Sequence, residues 1–244
     1  METGNRLLRA LSRDDFDRLA PHFDRFRARA GAVLYEPEAE VEWVYFPEQG
    51  LISVISVMLS GATAESAVVG REGAVGFVEA AGSGIYLSRA LIQADLNALR
   101  LPAGRYREAL NGSKTLTRAV AEHAELNMAE GRQAIACMAH HQADRRLAWW
   151  LLECQDRAAS GDRLPLTQEF LAAMLGLQRT TVTSIAAQLR DEGLINYRRA
   201  MVTLVDRAGL EAKSCECYAT SQHFRRLIHG RARGDQARAD GGPA

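Results

Sequence analysis

The residues of this chain whose types and spacing suit them to chemistry fall between positions 164 and 205. Val182, Ile185, Ala186 and Leu189 recur at i, i+3, i+4 and i+7, which predicts a helix over 178–191 with one apolar face. At about 100° per residue, the opposite face gathers Arg179, Thr180, Thr183, Ser184 and Ala187. One arginine, three small hydroxyl side chains and an alanine, with no acid among them, can approach a nucleic-acid groove closely. A guanidinium can take a guanine edge bidentately, and short hydroxyls can reach bases or phosphates. The acids Asp191 and Glu192 come only at the far end of this helix.

The elements that must position this face are also legible. Thr167 is suited to cap a preceding helix, Glu169 lies in its first turn where the helix dipole favours an acid, and Phe170, Leu171, Met174 and Leu175 make its apolar stripe. Gly176 breaks that helix, Leu177 and Gln178 lead into the next, and Gly193 is placed to end it. Residues 194–197 and 201–205 then read as two short strands around Arg198-Arg199-Ala200. Helix, glycine turn, helix and basic-tipped hairpin, in that order, predict a winged helix-turn-helix.

Other candidate chemistry is thin. The four cysteines are too few for a disulfide-stapled scaffold, and Cys137, Cys154 and the Cys215/Cys217 pair fall in three separate segments. Cys215-Glu216-Cys217 lacks a second pair, and His140-His141 lacks a third ligand in sequence, so the expectation is structural thiols and no metal site. A cupin-like metal enzyme would need ligands converging from strands, whereas His22, His123, His140, His141, His223 and His229 all lie outside the predicted strands. Catalytic residues are therefore not identified. Thirty basic and thirty acidic residues cancel, so an anion-binding patch must be local. No apolar run approaches the roughly 18–20 residues of a membrane span, and no signal-peptide core follows Met1. A reducing cytoplasm is the expected setting.

The remainder of the 244 residues divides by texture. Residues 7–26 mix charged and apolar side chains at helical spacing, with Ser12 as a cap. Short apolar runs at 32–36, 43–46, 51–58, 64–69, 88–94 and 96–101, punctuated by glycine and proline, predict an antiparallel sandwich or small barrel. Residues 51–58 do not alternate cleanly, so their buried face cannot be assigned. From 113 to 138 the chain has no proline, and Leu116, Val120, Ala124, Met128, Gly131, Ile135 and Met138 recur in steps of three and four. That predicts a long helix packing lengthwise, on a second subunit in preference to its own core. A second helix is expected over 143–157, with Trp149 and Trp150 as core, and the basic stretch from 223 to 244 as a flexible tail.

Residues 166–183, LTQEFLAAMLGLQRTTVT, resemble the helix-turn-helix signature of the Crp/Fnr family of bacterial transcription regulators. The resemblance implies an α+β protein: an antiparallel β-roll (a double-stranded β-helix or jelly roll) of the cyclic-nucleotide-binding type over 1–112, a dimerisation helix over 113–140, and a winged helix-turn-helix over 141–222. It implies base reading by Arg179, Thr180 and Ser184, to which the helix face adds Thr183. Phosphate contacts fall to Thr167, Gln168, Gln178, Thr181 and the wing residues Arg198 and Arg199. The implied partners are double-stranded DNA, a second copy of the chain and RNA polymerase, with no membrane.

Two departures stand out. Gln178 replaces the serine that usually precedes the arginine, and Ser184 stands where the best-known members carry arginine, which implies a different half-site. In the sensor half, Gly73-Ala74-Val75-Gly76-Phe77-Val78 lacks the glutamate of the nucleotide-binding turn. Arg89, in Ser88-Arg89-Ala90, is left as the one effector candidate, more suited to a structural ion pair than to a cyclic nucleotide. No cofactor is identifiable. A competing reading is a small-molecule-binding module that acts through protein partners.

Overall fold

The computed structural model describes residues 3–159, 161 and 163–239, with 229–239 as backbone alone. Two short helices, α1 (Arg6–Arg9) and α2 (Arg13–Leu19), open the chain, and Ser12 caps α2 by accepting from the Asp15 amide. The helical pattern predicted to residue 26 stops earlier, because Asp24–Ala28 forms strand β1 and pairs antiparallel with a long strand downstream. The roll continues through β2 (Val33–Tyr35), β3 (Ala39–Glu40), β4 (Trp43–Val57), β5 (Thr63–Val69), helix α3 (Phe77–Ala81), β6 (Ile85–Tyr86) and β7 (Arg89–Pro102). Its main sheet has the order β1-β7-β4-β5, all antiparallel, with β2 also on β7.

Two predicted pairs of short strands are thus single long ones. β4 runs through Pro47 and Gly50, and β7 through Asp95, with register shifts that bend the ladder where the sequence shows punctuation. Gly50 has φ +95°, and a Cβ there would run into the carbonyls of Ala94 and Asp95 on β7. Only glycine suits that bend.

The failure of residues 51–58 to alternate has a physical cause. Ile52 and Val69 face the roll core with Phe46, Phe77 and Tyr106, while their neighbours Leu51 and Val68 face a second core made by the C-terminal helices. A strand covered on both sides carries apolar residues on both sides.

Helix α4 (Ala103–Gly112) leads to α5 (Lys114–His140), capped by Ser113, and α6 (Ala143–Ala158) follows after a two-residue break. Then come β8 (Arg163–Pro165), α7 (Gln168–Leu175), α8 (Arg179–Asp191), β9 (Ile195–Arg198), β10 (Met201–Leu204), α9 (Arg207–Lys213) and α10 (Cys217–Ala239). α10 corrects the expected tail from residue 223. Its Arg225 reaches back to Glu130 of α5 and Glu153 of α6, and Ser221 is buried, so side-chain anchoring orders a stretch whose apolar content alone predicts none. Residues 240–244 of that predicted tail lie outside the described residues.

The α5 seam also needs correction. Leu116 is 1% exposed in the roll core and Val120 packs beside it, whereas Met128 and Ile135 are 52% and 71% exposed. Each step of four residues advances about 40° around a helix, so the run 116, 120, 124, 128 winds from the roll towards solvent. Gly131 and Met138 line a cavity of about 120 Å³ between α5, β5 and α6, and Met138 remains 46% exposed. Ala124 is half-buried between the two sets. The exposed face of α5 is instead Ala121, Met128, Arg132, Ile135 and Ala139.

Candidate nucleic-acid interface and a thiol–imidazole cluster

α7 and α8 form as their sequence dictates. Thr167 Oγ1 accepts from the Phe170 amide at 3.0 Å, and Gly176, at φ +64°, closes α7 by donating to the carbonyls of Ala172 and Ala173. α8 begins at Gln178, which makes no side-chain cap. It buries Val182, Ile185, Ala186 and Leu189 against Leu171, Leu175 and Leu194. Its end is a Schellman-type turn: Gly193 takes φ +75° and the Leu194 amide donates to the Leu189 carbonyl at 2.9 Å.

The opposite face of α8 is open. Arg179, Thr180, Thr181, Thr183 and Ser184 are all exposed, as are Gln178 and Thr167, while Gln168 is half-buried. Among the described residues no carboxylate pairs with Arg179. The acids at the far end of α8 are already engaged: Asp191 with Arg190, and Glu192 with Lys213 at 2.9 Å. The hydrogen bond from Lys213 holds the Glu192 carboxyl below its ordinary range. Thr183 donates its hydroxyl proton to the Arg179 carbonyl at 2.9 Å, so it offers a ligand an acceptor and a methyl group. Thr167 accepts in its cap and keeps its proton free to donate.

The wing is a three-stranded sheet in the order β8-β10-β9. β8 escaped the sequence reading because three residues carry too short a pattern. β9 and β10 join through Arg199 and Ala200 alone, at φ +52° and +59°, the positive pair a two-residue type I′ hairpin requires. Arg198 and Arg199 are exposed at this tip. Tyr197 donates to the Leu166 carbonyl at 3.0 Å, which fixes the wing against the entry to α7.

In the roll, Arg89 at the start of β7 pairs at 2.8 Å with Glu36, the residue that follows β2. The turn at Gly73–Val78 is packed with Ala74, Val75 and Phe77, all buried. Tyr35, Tyr45 and Tyr86 add aromatic contacts with centroids 5.0–6.0 Å apart. The Tyr35 and Tyr86 hydroxyls are pushed well above their ordinary pKa by burial.

A buried ionic hub ties these parts together. Arg157 of α6 reaches Glu72 (3.3 Å), Glu130 (3.0 Å) and Glu153 (2.8 Å), and Arg225 shares the last two acids. The surrounding carboxylates raise the Arg157 pKa in spite of its burial, and the two cations lower that of Glu130. Glu65 lies beside the hub, receiving a 2.6 Å hydrogen bond from the Trp150 indole, and burial pushes its carboxyl up to about 7.

One cluster joins thiols that the sequence places in separate segments. Cys137 and His141 at the end of α5 meet Cys215 and Cys217 at the start of α10, and their four ligand atoms all lie within 4.8 Å of one another. Cys137 Sγ lies 3.6 Å from Cys215 Sγ, and Cys217 Sγ lies 3.4 Å from His141 Nδ1. The spacing C-x3-H was present in the sequence beside C-x-C, but the two pairs are separated by the whole winged helix and only the fold joins them. Cys154, by contrast, is buried alone in the C-terminal core.

Comparison with known proteins agrees with this architecture. Residues 145–213 match the Crp-like helix-turn-helix domain. A CRP/FNR-family transcriptional regulator of Thermus thermophilus is 26% identical, with a TM-score of 0.63 over 78% of this chain and 98% of its own. FixK2 of Bradyrhizobium japonicum superposes with a TM-score of 0.67 at 18% identity, covering 79% of this chain and 98% of its own. A Crp/Fnr-family regulator from Eubacterium rectale, itself described as putative, gives 0.67 at 17% identity over 87% and 99%. No curated protein sequence matches the chain. Among the described residues no helix is long and apolar enough to cross a membrane.

Proposed function

We propose that this chain, whose residues 145–213 match the Crp-like helix-turn-helix domain and which is 26% identical to a CRP/FNR-family regulator along most of its length, is a homodimeric, sequence-specific DNA-binding regulator of the Crp/Fnr type that acts in the cytoplasm. The observation that carries this reading is the exposed, acid-free face of α8. Arg179, Thr180, Thr183 and Ser184 read base edges in the major groove. Thr167, Gln168, Gln178 and Thr181 position the helix on phosphates, and Arg198 and Arg199 hold the flanking backbone. Residues 141–222 act as the DNA-binding unit and 1–112 as the module that receives a signal.

The second copy docks along the exposed face of α5, where Met128 and Ile135 would bury apolar surface between flanking Ala121 and Ala139. Two α8 helices then enter successive major grooves of a pseudo-palindromic site, about 34–36 Å apart. RNA polymerase is the partner through which such binding would change transcription.

Capture of genomic fragments by the purified protein at physiological salt tests the reading. It predicts enrichment of a two-fold symmetric motif. It also predicts that Ile135→Lys, which places a charge on the proposed dimer face, yields monomers in sedimentation and loses the enrichment. Wild-type protein that remains monomeric and captures no motif, with or without cell extract, would overturn it.

A further inference from the structure

We propose that Cys137, His141, Cys215 and Cys217 form a tetrahedral site for a divalent zinc-type cation, which clamps the start of α10 to the end of α5. The ligand set is three thiolates and one imidazole, the chemistry that selects zinc over the hard, oxygen-seeking cations. With metal–sulfur bonds of about 2.3 Å and a metal–nitrogen bond of about 2.0–2.1 Å, a tetrahedron has edges of about 3.8 Å between sulfurs and about 3.6 Å between sulfur and nitrogen. The 3.6 Å Cys137–Cys215 and 3.4 Å Cys217–His141 separations match those edges.

The surrounding groups are those a metal site needs. His141 turns Nδ1 to the cluster, and its Nε2 lies 3.3 Å from a Glu216 carboxylate oxygen. That partner fixes the tautomer with the proton on Nε2 and leaves Nδ1 as a lone-pair donor. The Gln133 side-chain amide donates to Cys217 Sγ at 3.1 Å, an interaction that stabilises thiolate. Cys215 and Cys217 flank the N-terminus of α10, whose dipole favours negative charge. All three thiols are buried and Trp149 packs over them, which shields the metal–sulfur bonds from water.

Backbone geometry presets both ligand pairs. Cys137 and His141 are one helical turn apart, with the His141 amide donating to the Cys137 carbonyl at 3.0 Å. The Tyr218 amide likewise donates to the Cys215 carbonyl, holding the second pair in a tight turn. Binding replaces up to three thiol protons, which leave to solvent. The ligand set, neutral when protonated, becomes a complex of net charge −1, and no electron is transferred.

The consequence is mechanical. α10 follows the winged helix and α5 carries the proposed dimer face, so a metal bridging them would fix the DNA-binding unit relative to its partner copy. The site itself stands or falls independently of DNA binding.

The test uses full-length protein purified without chelator from zinc-supplemented cells, with metal measured by mass spectrometry. The expected content is one zinc per chain, with a fall of at least several-fold in Cys215→Ser and Cys217→Ser and no change in Cys154→Ser. Because a ligand variant can lose metal by misfolding, Co²⁺ is also titrated into reduced, metal-free wild type. Thiolate-to-cobalt charge-transfer bands and intense visible bands of a tetrahedral centre, saturating at one equivalent and bleached by Zn²⁺, are expected. Wild type that holds no zinc and gives only the weak spectrum of hydrated Co²⁺ would overturn the proposal. So would a Cys137–Cys215 disulfide in wild-type protein that, once reduced, still takes up no metal.

Discussion

Arg157 and Arg179 are the same residue type in opposite surroundings. Arg157 is 11% exposed and meets three carboxylates from the β5–α3 turn, α5 and α6, with Arg225 of α10 closing the network. Arg179 is exposed at the start of α8, on a face whose nearest acids along the helix are engaged by Arg190 and Lys213. The first guanidinium is fully satisfied within the chain and so holds four segments together. The second has its donors free and can meet an external acceptor. Partners, not residue type, separate a structural arginine from one left available to an external ligand.

The largest effect expected from breaking this contrast is at Arg157. Arg157→Met leaves Glu130 and Glu153 with Arg225 as their remaining cation and takes from Glu72 its ion-pair partner, which should destabilise the fold by about 3–5 kcal/mol in urea unfolding. A change below about 1 kcal/mol would show that the hub contributes little.

Glu65 sharpens the same point, since it is buried beside the hub without a cation of its own. Its folded pKa of about 7 lies above its ordinary value of 4.5, so the folded state binds the proton more tightly. The stability this supplies is complete below the ordinary value and is lost as pH rises through about 7. Glu65→Gln should therefore flatten the decline between pH 5 and pH 8, by an amount on the order of 1–3 kcal/mol. A decline of unchanged size in the variant would assign it to another group.

On the recognising side, Arg179→Ala should cost about 1–3 kcal/mol of binding to the specific site while leaving the urea midpoint nearly unmoved. Arg198→Ala or Arg199→Ala should weaken binding similarly on all sequences and reduce the salt slope by about one. A slope equal to wild type would remove the wing tip from phosphate contact.

The recognition segment was legible in sequence because its determinants are local. The Thr167 cap, the turns at Gly176 and Gly193 and the i, i+3, i+4, i+7 stripe of α8 each act within a few residues of where they are written. What stayed hidden depends on partners distant in sequence. The mixed burial of Leu51 and Ile52 makes sense only with α6 packed on the outer side of β4. The α5 seam, read as one stripe, winds from the roll to solvent, so its ends serve different neighbours. α10 is ordered by Glu130 and Glu153, acids far upstream. The thiol–imidazole cluster is the extreme case: two half-sites, each too weak alone, are joined by the fold.

Base reading by α8 is tested most directly by selection from a randomised duplex library at physiological salt, with wild type, Arg179→Ala and Arg198→Ala in parallel. Wild type is expected to select a two-fold symmetric motif, Arg179→Ala the same motif with one degenerate position per half-site, and Arg198→Ala the unaltered motif at reduced yield. An Arg179→Ala motif identical to that of wild type would contradict the assignment of the α8 face as the sequence reader.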